Sequence, residues 1–201
     1  EAAKEIYDQA ENYLDDFSIQ KVSFKGPLQK LTETKITQPA IFVNSYALFN
    51  EIKKDCNIHG VAGHSLGEYT ALVAAGAITF EQGLKIVKIR ASEMQKAAEQ
   101  TSGSMAAIIG LEIDEIKAGL EDIGNFGICE IANYNSPKQI VISGETNAIQ
   151  KVMVDLKDKG AKRAIELSVS GAFHSPLMDS AKDELKNALE DLDFQKPDIP
   201  L

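Results

Sequence analysis

The sequence is poor in several of the residues on which large classes of protein depend. It has two cysteines, Cys56 and Cys129, far apart and in neither a C-x-x-C pair nor a zinc-type spacing. Neither a disulfide nor a metal centre is therefore expected, and a reducing compartment suits two unpaired thiols. Positive charge is also scarce: 21 Lys and Arg stand against 30 Asp and Glu, a net charge of −9. A general binder of nucleic acid or of an anionic membrane needs a large basic surface, so both are excluded as partners. No apolar run approaches the ~20 residues of a membrane span. The opening stretch, EAAKEIYDQAENYL, is acidic and helical rather than signal-like, so a cytoplasmic location is expected. There is no repeat, no low-complexity segment and no compositional sign of disorder. What remains, 44% hydrophobic and 25% charged residues in 201, is enough to bury a sizeable core in one or two small units.

The most informative stretch is IHGVAGHSLGEYTALVAAGA, Ile58 to Ala77. Ile58, Val61 and Ala62 read as a short buried strand and Leu66 to Ala75 as a helix, which leaves Ser65 on a tight reversal between them. Gly63-His64-Ser65-Leu66-Gly67 is then a G-x-S-x-G nucleophile elbow, with glycines where side chains would collide as strand and helix cross. The Ser65 hydroxyl would stand above the strand end. The helix start would aim its free N–H groups, Leu66 first, at the place where an oxyanion forms.

The flanking segments fill in the organisation. Residues 1–17 carry Ile6, Tyr7, Ala10, Tyr13, Leu14 and Phe17 at helical spacing, and 18–35 read as a loop with short helical turns. Thr37 is expected to cap a core helix whose stripe is Ile41, Ser45, Leu48 and Ile52. Thr79 and Gln82 form a T-x-x-Q capping box opening a helix to about Glu99. On that helix Leu84, Ile86, Val87, Ala91 and Met94 fill one apolar arc, and Arg90 falls inside it. An unpaired inward guanidinium costs several kcal/mol, so an anion must meet it, either a buried protein carboxylate or one from outside. From Gly103 the order is strand, helix, two strands around an Asn133–Pro137 turn, helix, strand. That β-α-β-β-α-β order is ferredoxin-like. Asn133 and Asn135 read most simply as turn caps. Ser175 and Pro176 look like the start of the last helix, which leaves His174 in the preceding loop. With only three histidines, and His59 and His64 poorly placed about the elbow, His174 is the candidate base, its alternative being a surface cap.

GHSLGEY, the Thr34–Phe42 segment T-x-x-TQPAIF, KIRASEMQ (Lys88–Gln95), ANYNSPKQIVISG (Ala132–Gly144) and LSVSGAFHSPLM (Leu167–Met178), in order along the chain, resemble the malonyl-CoA:acyl carrier protein transacylases. The resemblance implies an α/β fold, an α/β-hydrolase-like core (1–102 and 170–201) with an inserted ferredoxin-like subdomain (103–169). It implies transfer of malonyl from malonyl-CoA to acyl carrier protein through a malonyl-serine, in fatty acid biosynthesis. Ser65 and His174 would be catalytic, the Leu66 N–H an oxyanion donor, and Arg90 the partner of the malonyl carboxylate. Asn135 would face the acyl or pantetheine chain. Phe173 would narrow the acyl pocket, as the A-F-H wording does in malonyl-selective relatives, although Gly171 departs from the usual form. No cofactor is implied beyond the coenzyme A thioester as substrate, and a monomer is expected. Acidic coenzyme A and carrier protein would need a local basic patch, for which Lys157, Lys159, Lys162 and Arg163 are candidates; a solvated helix end is the plainer account. The family also opens with a strand and a Gly-Gln-Gly oxyanion loop and continues beyond KPDIPL, so flanks are expected to be missing. The alternatives are a serine esterase or thioesterase on the same elbow, for which a buried cation has no use, and an inactive substrate-binding fragment.

Overall fold

The computed structural model describes residues 2–201, and helices fill most of the first half. Helix α1 (Ala2–Glu11) buries Ile6, Tyr7 and Ala10 on one face. It is shorter than the apolar spacing suggests, because the chain turns after Glu11 and Ser18 caps a new helix, α2 (Ile19–Lys25), its hydroxyl accepting from the Lys21 N–H at 3.2 Å. Helix α3 (Leu28–Leu31) follows, so the short helical turns expected over 18–35 are present and make up most of that segment.

Helix α4 (Thr34–Ile52) corrects two expectations. Thr37 is not its cap: the helix starts three residues earlier, and the Thr37 hydroxyl donates back to the Glu33 carbonyl at 3.0 Å. Nor is the stripe through Ile41, Leu48 and Ile52 the core face, for these side chains are 50%, 57% and 54% exposed. Ile36, Ala40, Phe42, Val43 and Ala47 are buried instead. The helix is apolar on nearly every side, so periodicity does not select a face; packing against α1 and the helix after the elbow does.

Helices α5 (Gly67–Ala74) and α6 (Phe80–Gln100) complete this layer. The capping box forms as expected, with Thr79 N–H donating to Gln82 Oε1 at 2.8 Å and Gln82 N–H to Thr79 Oγ1 at 3.1 Å. Phe80 stacks between Phe42 and Tyr46, with ring centroids 5.6 and 5.1 Å away. The segment before the elbow is extended but is not a buried strand. It joins no ladder, Ala62 is exposed, and Val61 N–H donates to the Pro200 carbonyl at 2.9 Å. A strand needs a partner's backbone along its length, and here the terminal stretch supplies one bond before turning to Ala75 and Ala77, whose carbonyls accept from Asp198 and Gln195.

The chain forms two compact units, one running to Glu93 and resuming at Glu184–Leu201, the other Met94–Asp183. The second holds a four-stranded antiparallel sheet of β1 (Gly103–Ile109), β2 (Cys129–Ser136), β3 (Gln139–Glu145) and β4 (Arg163–Glu166), in the order β2-β3-β1-β4. Helices α7 (Ile113–Glu121) and α8 (Thr146–Asp158) lie between β1 and β2 and between β3 and β4 in sequence. They cover one sheet face, where Ala106, Ile108, Ile140 and Ile142 meet Ile116, Ile149, Val152 and Leu156. Met105, Ala107 and Val141 point from the other face. Asn133 and Asn135 do not cap the hairpin: both lie in β2, where the register shifts, and the turn is Pro137-Lys138. Strand β4 ends at Glu166, although Leu167 N–H still donates to the Met105 carbonyl on β1 at 2.8 Å. Helix α9 (Asp179–Glu190) closes the chain's regular structure. The first unit boundary falls inside α6 because its last turns pack with the segment around Gly171 on the sheet's side: a Cβ on Gly171 would meet Ala98 at 2.6 Å, and one on Gly103 would meet Ala172 at 2.6 Å. Among the described residues no helix is long and apolar enough to cross a membrane.

Candidate active site

Ser65 has φ 53°, in the left-handed region that a side chain with Cβ adopts at a cost of roughly 1–2 kcal/mol. The surrounding backbone imposes it. Gly67 N–H donates to the His64 carbonyl at 2.9 Å, Glu68 N–H to that of Ser65 at 3.2 Å and Tyr69 N–H to that of Leu66 at 3.2 Å, so the chain reverses at Ser65 and enters α5 at once. Gly63 permits this reversal: a Cβ there would lie 2.0 Å from the Gly67 carbonyl carbon and 2.1 Å from the Glu68 nitrogen. Gly67 is different, since a Cβ on it meets nothing within 4 Å; the collision expected at both glycines occurs only at the first. Among the described residues no acceptor is assigned to the Leu66 N–H, which sits next to Ser65 at the positive end of α5.

Arg90 comes to the same place from α6. It is 8% exposed, within the arc of Leu84, Ile86, Val87 and Ala91 that the helical phase predicts. Its Nη2 donates to Ser65 Oγ at 3.0 Å, its Nη1 donates to Gln38 Oε1 on α4, and its Cζ lies 5.7 Å from the Tyr69 ring centroid. Burial pushes the guanidinium below its ordinary pKa, opposed by Tyr69 and Glu68, yet an arginine remains charged at any ordinary pH. Burial likewise raises the Tyr69 phenol, with Arg90 beside it pulling the other way. The choice left open by the sequence, a protein carboxylate or an outside anion, now has a geometric answer on one side. Among the described residues no carboxylate lies within ion-pair distance of Arg90; its partners are an amide, a hydroxyl and an aromatic face. A buried cation so held has the charge and the N–H donors to receive a small anion beside a serine hydroxyl.

The structure thus brings Ser65, Leu66 and Arg90 together. His174, Phe173 and Asn135 belong to the second unit. His174 is exposed and has φ 60°, a second non-glycine residue in the left-handed region. Ser175 fixes the loop at that point: its hydroxyl donates to the Ala172 carbonyl at 2.7 Å and accepts from Leu177 N–H at 3.3 Å, capping a 3-10 turn, Pro176–Met178, that precedes α9. Phe173 packs on Met105, Ala107 and Val141. Asn135 is exposed at the second register shift of β2. Of the basic candidates, Lys159 pairs with Asp122 at 2.6 Å, and Lys157, Lys162 and Arg163 are exposed. Gln38 and Tyr69 were missed by the sequence reading. A signal existed for Tyr69, which lies four residues beyond Ser65, in the first turn of α5; Gln38 offered only a polar residue before Pro39 in an apolar helix.

The acyl transferase domain family matches residues 1–201. Among curated relatives, the malonyl CoA-acyl carrier protein transacylase of Bacillus subtilis is 39% identical over 202 residues, covering 100% of this chain and 63% of its own length. The chain therefore spans a little under two thirds of that relative. Among solved structures, the malonyl CoA-acyl carrier protein transacylase of Coxiella burnetii superposes with a TM-score of 0.94 at 36% identity, over 99% of this chain and 63% of that one. A type II polyketide malonyl-transacylase solved in complex with its acyl-carrier protein superposes with a TM-score of 0.93 at 35% identity, over 99% and 65%.

Proposed function

Since this chain belongs to the acyl transferase domain family, we propose that the protein transfers malonyl from malonyl-CoA to the phosphopantetheine thiol of acyl carrier protein, in fatty acid biosynthesis. The observation that carries this reading is the strained Ser65, whose hydroxyl accepts from a buried arginine with no carboxylate partner among the described residues. A malonyl thioester has a reactive carbonyl and, two carbons away, a free carboxylate, and the site offers one group for each. Ser65 Oγ attacks the carbonyl while His174 takes its proton; the Leu66 N–H donates to the developing oxyanion; Arg90 holds the carboxylate; and coenzyme A leaves as its thiol. The carrier thiol then attacks the malonyl-serine ester with the same groups acting in reverse. A thiol is a good enough leaving group for a serine–histidine pair to suffice. Cys129 is not a competing nucleophile, because burial, with Glu130 beside it, pushes its thiol up to about 12.

The same reading makes the unit bearing Ser65 an α/β-hydrolase-like core and the other a ferredoxin-like subdomain. Its support is the sharp turn into α5 in the first and the antiparallel order β2-β3-β1-β4 in the second. Phe173 and Asn135 would line the acyl and pantetheine path, Lys157, Lys162 and Arg163 would meet the acidic partners, no resident cofactor is required, and the reaction would run in the cytoplasm. An esterase or thioesterase is disfavoured by Arg90, since hydrolysis of a neutral ester has no use for a buried cation. The test is to mix the full-length protein with malonyl-CoA without an acceptor and map the product by peptide mass spectrometry. Malonyl on Ser65, absent in Ser65→Ala, is expected; labelling of Cys56 or Cys129 instead would contradict the proposal.

A further inference from the structure

We infer that Gln38 is the positioning residue that sets the charge of the acyl site: a neutral anchor that aims the Arg90 guanidinium without neutralising it. The inference rests on the reading above that Arg90 receives a substrate carboxylate. Arginine has five N–H donors in a rigid plane, and two of its edges are committed here, Nη1 to Gln38 Oε1 and Nη2 to Ser65 Oγ. The contact to Gln38 joins two helices 52 residues apart in sequence, and Gln38 is itself 7% exposed, so both ends are fixed in the core. The bond to Ser65 will be disturbed whenever that hydroxyl reacts. The bond to Gln38 is away from the reacting atoms and is the one that holds the fork throughout.

The chemistry of the anchor matters as much as its position. An amide oxygen and a carboxylate oxygen have nearly the same shape and both accept from a guanidinium. A carboxylate in place of the Gln38 amide would orient Arg90 equally well, but it would also complete an internal ion pair in a water-poor site. The guanidinium would then meet an incoming carboxylate with its charge already matched, and the two anions would repel each other across it. Glutamine leaves one full positive charge beside Ser65 for the substrate to compensate. Whether the site prefers an acyl group ending in a carboxylate or one ending in a methyl is thus decided by one atom, oxygen or nitrogen, on the α4 side chain.

The experiment uses the full-length protein with Gln38→Glu and Gln38→Leu, reading kcat/KM for malonyl-CoA and for acetyl-CoA together with thermal melting. Gln38→Glu should lower malonyl kcat/KM about a hundredfold, keep acetyl within about threefold of its starting value, and melt no lower than the parent, its buried charges being paired. Gln38→Leu removes the anchor but keeps the charge; malonyl kcat/KM should fall about tenfold, mainly through KM, with a smaller change in the malonyl-to-acetyl ratio. An unchanged ratio in Gln38→Glu overturns the inference, as does a leucine variant that shifts the ratio as far as the glutamate. Should Gln38→Glu fail to fold, the leucine variant decides alone: malonyl kcat/KM within about threefold of the parent overturns the anchor, and the tenfold fall supports it. Arg90→Ala in the same assay separates the two layers. If it leaves the ratio unchanged, the function of Arg90 itself is wrong; if it shifts the ratio and Gln38→Glu does not, only the role of Gln38 falls.

Discussion

Replacing Gly63 by alanine should damage the protein far more than the same change at Gly67, although the two glycines flank Ser65 symmetrically in sequence. A Cβ on Gly63 would sit 2.0 Å from the Gly67 carbonyl carbon, 2.1 Å from the Glu68 nitrogen and 2.1 Å from the Gly67 carbonyl oxygen. All three are backbone atoms of the first turn of α5, tied by the bonds to the His64 and Ser65 carbonyls, so no side chain can swing away to make room. Opening that gap by an ångström or more means undoing the start of the helix, a cost of about 3 kcal/mol or more. For a protein of this size each kcal/mol moves Tm by about 2–4 °C, so a fall of about 6–12 °C is expected. At Gly67 the added methyl meets open space, and alanine is the better helix former by up to about 1 kcal/mol, so Tm should hold or rise. Circular dichroism melts of the two full-length variants make the comparison. A Gly63→Ala Tm within about 2 °C of the parent, or a Gly67→Ala fall as large as that of Gly63→Ala, would refute the close crossing behind the site.

The strain at Ser65 and the role of His174 can be tested alongside. Ser65→Gly and Ser65→Ala should both abolish transfer, but the glycine variant should be the more stable by about 1 kcal/mol because φ 53° costs it nothing; equal melting would mean the turn is unstrained. His174→Ala should slow acylation by roughly two to four orders of magnitude without lowering Tm, as the loss of a general base does, and near-normal turnover would move that role to another group.

How far the sequence foretold these features depended on whether one element sufficed to decide them. The burial of Arg90 was legible because α6 is amphipathic and its capping box fixes the start, so helical phase alone puts residue 90 among Leu84, Ile86, Val87 and Ala91. The reversal at Ser65 was legible because the spacing of two glycines around a serine is a local matter. Helix α4 was misread for the opposite reason: with apolar residues on nearly every side, its buried face was settled by its neighbours rather than by its own pattern. The expected strand at Ile58–Ala62 failed likewise, since a ladder depends on which distant backbone lies alongside, and here Pro200 supplies a single bond. Gln38 escaped notice because the group it touches, the Arg90 guanidinium, lies 52 residues away in sequence. Asn133 and Asn135 looked like turn residues by type, yet the two-residue turn at Pro137-Lys138 left them in β2.

The central claim is that Ser65 carries the acyl group and Arg90 selects it, and a competition measures both at once. The full-length protein and its Arg90→Ala variant would each be exposed to equal concentrations of malonyl-CoA and acetyl-CoA without an acceptor, and the Ser65 peptide of each weighed by mass spectrometry. The parent should carry almost only malonyl, since a buried guanidinium meeting a carboxylate is worth roughly 2–5 kcal/mol over an uncharged methyl. The Arg90→Ala peptide should carry acetyl in at least equal amount, at a Tm close to the parent's. Malonyl still dominating on Ser65 of the variant, or no acyl group on Ser65 of the parent, would contradict the account.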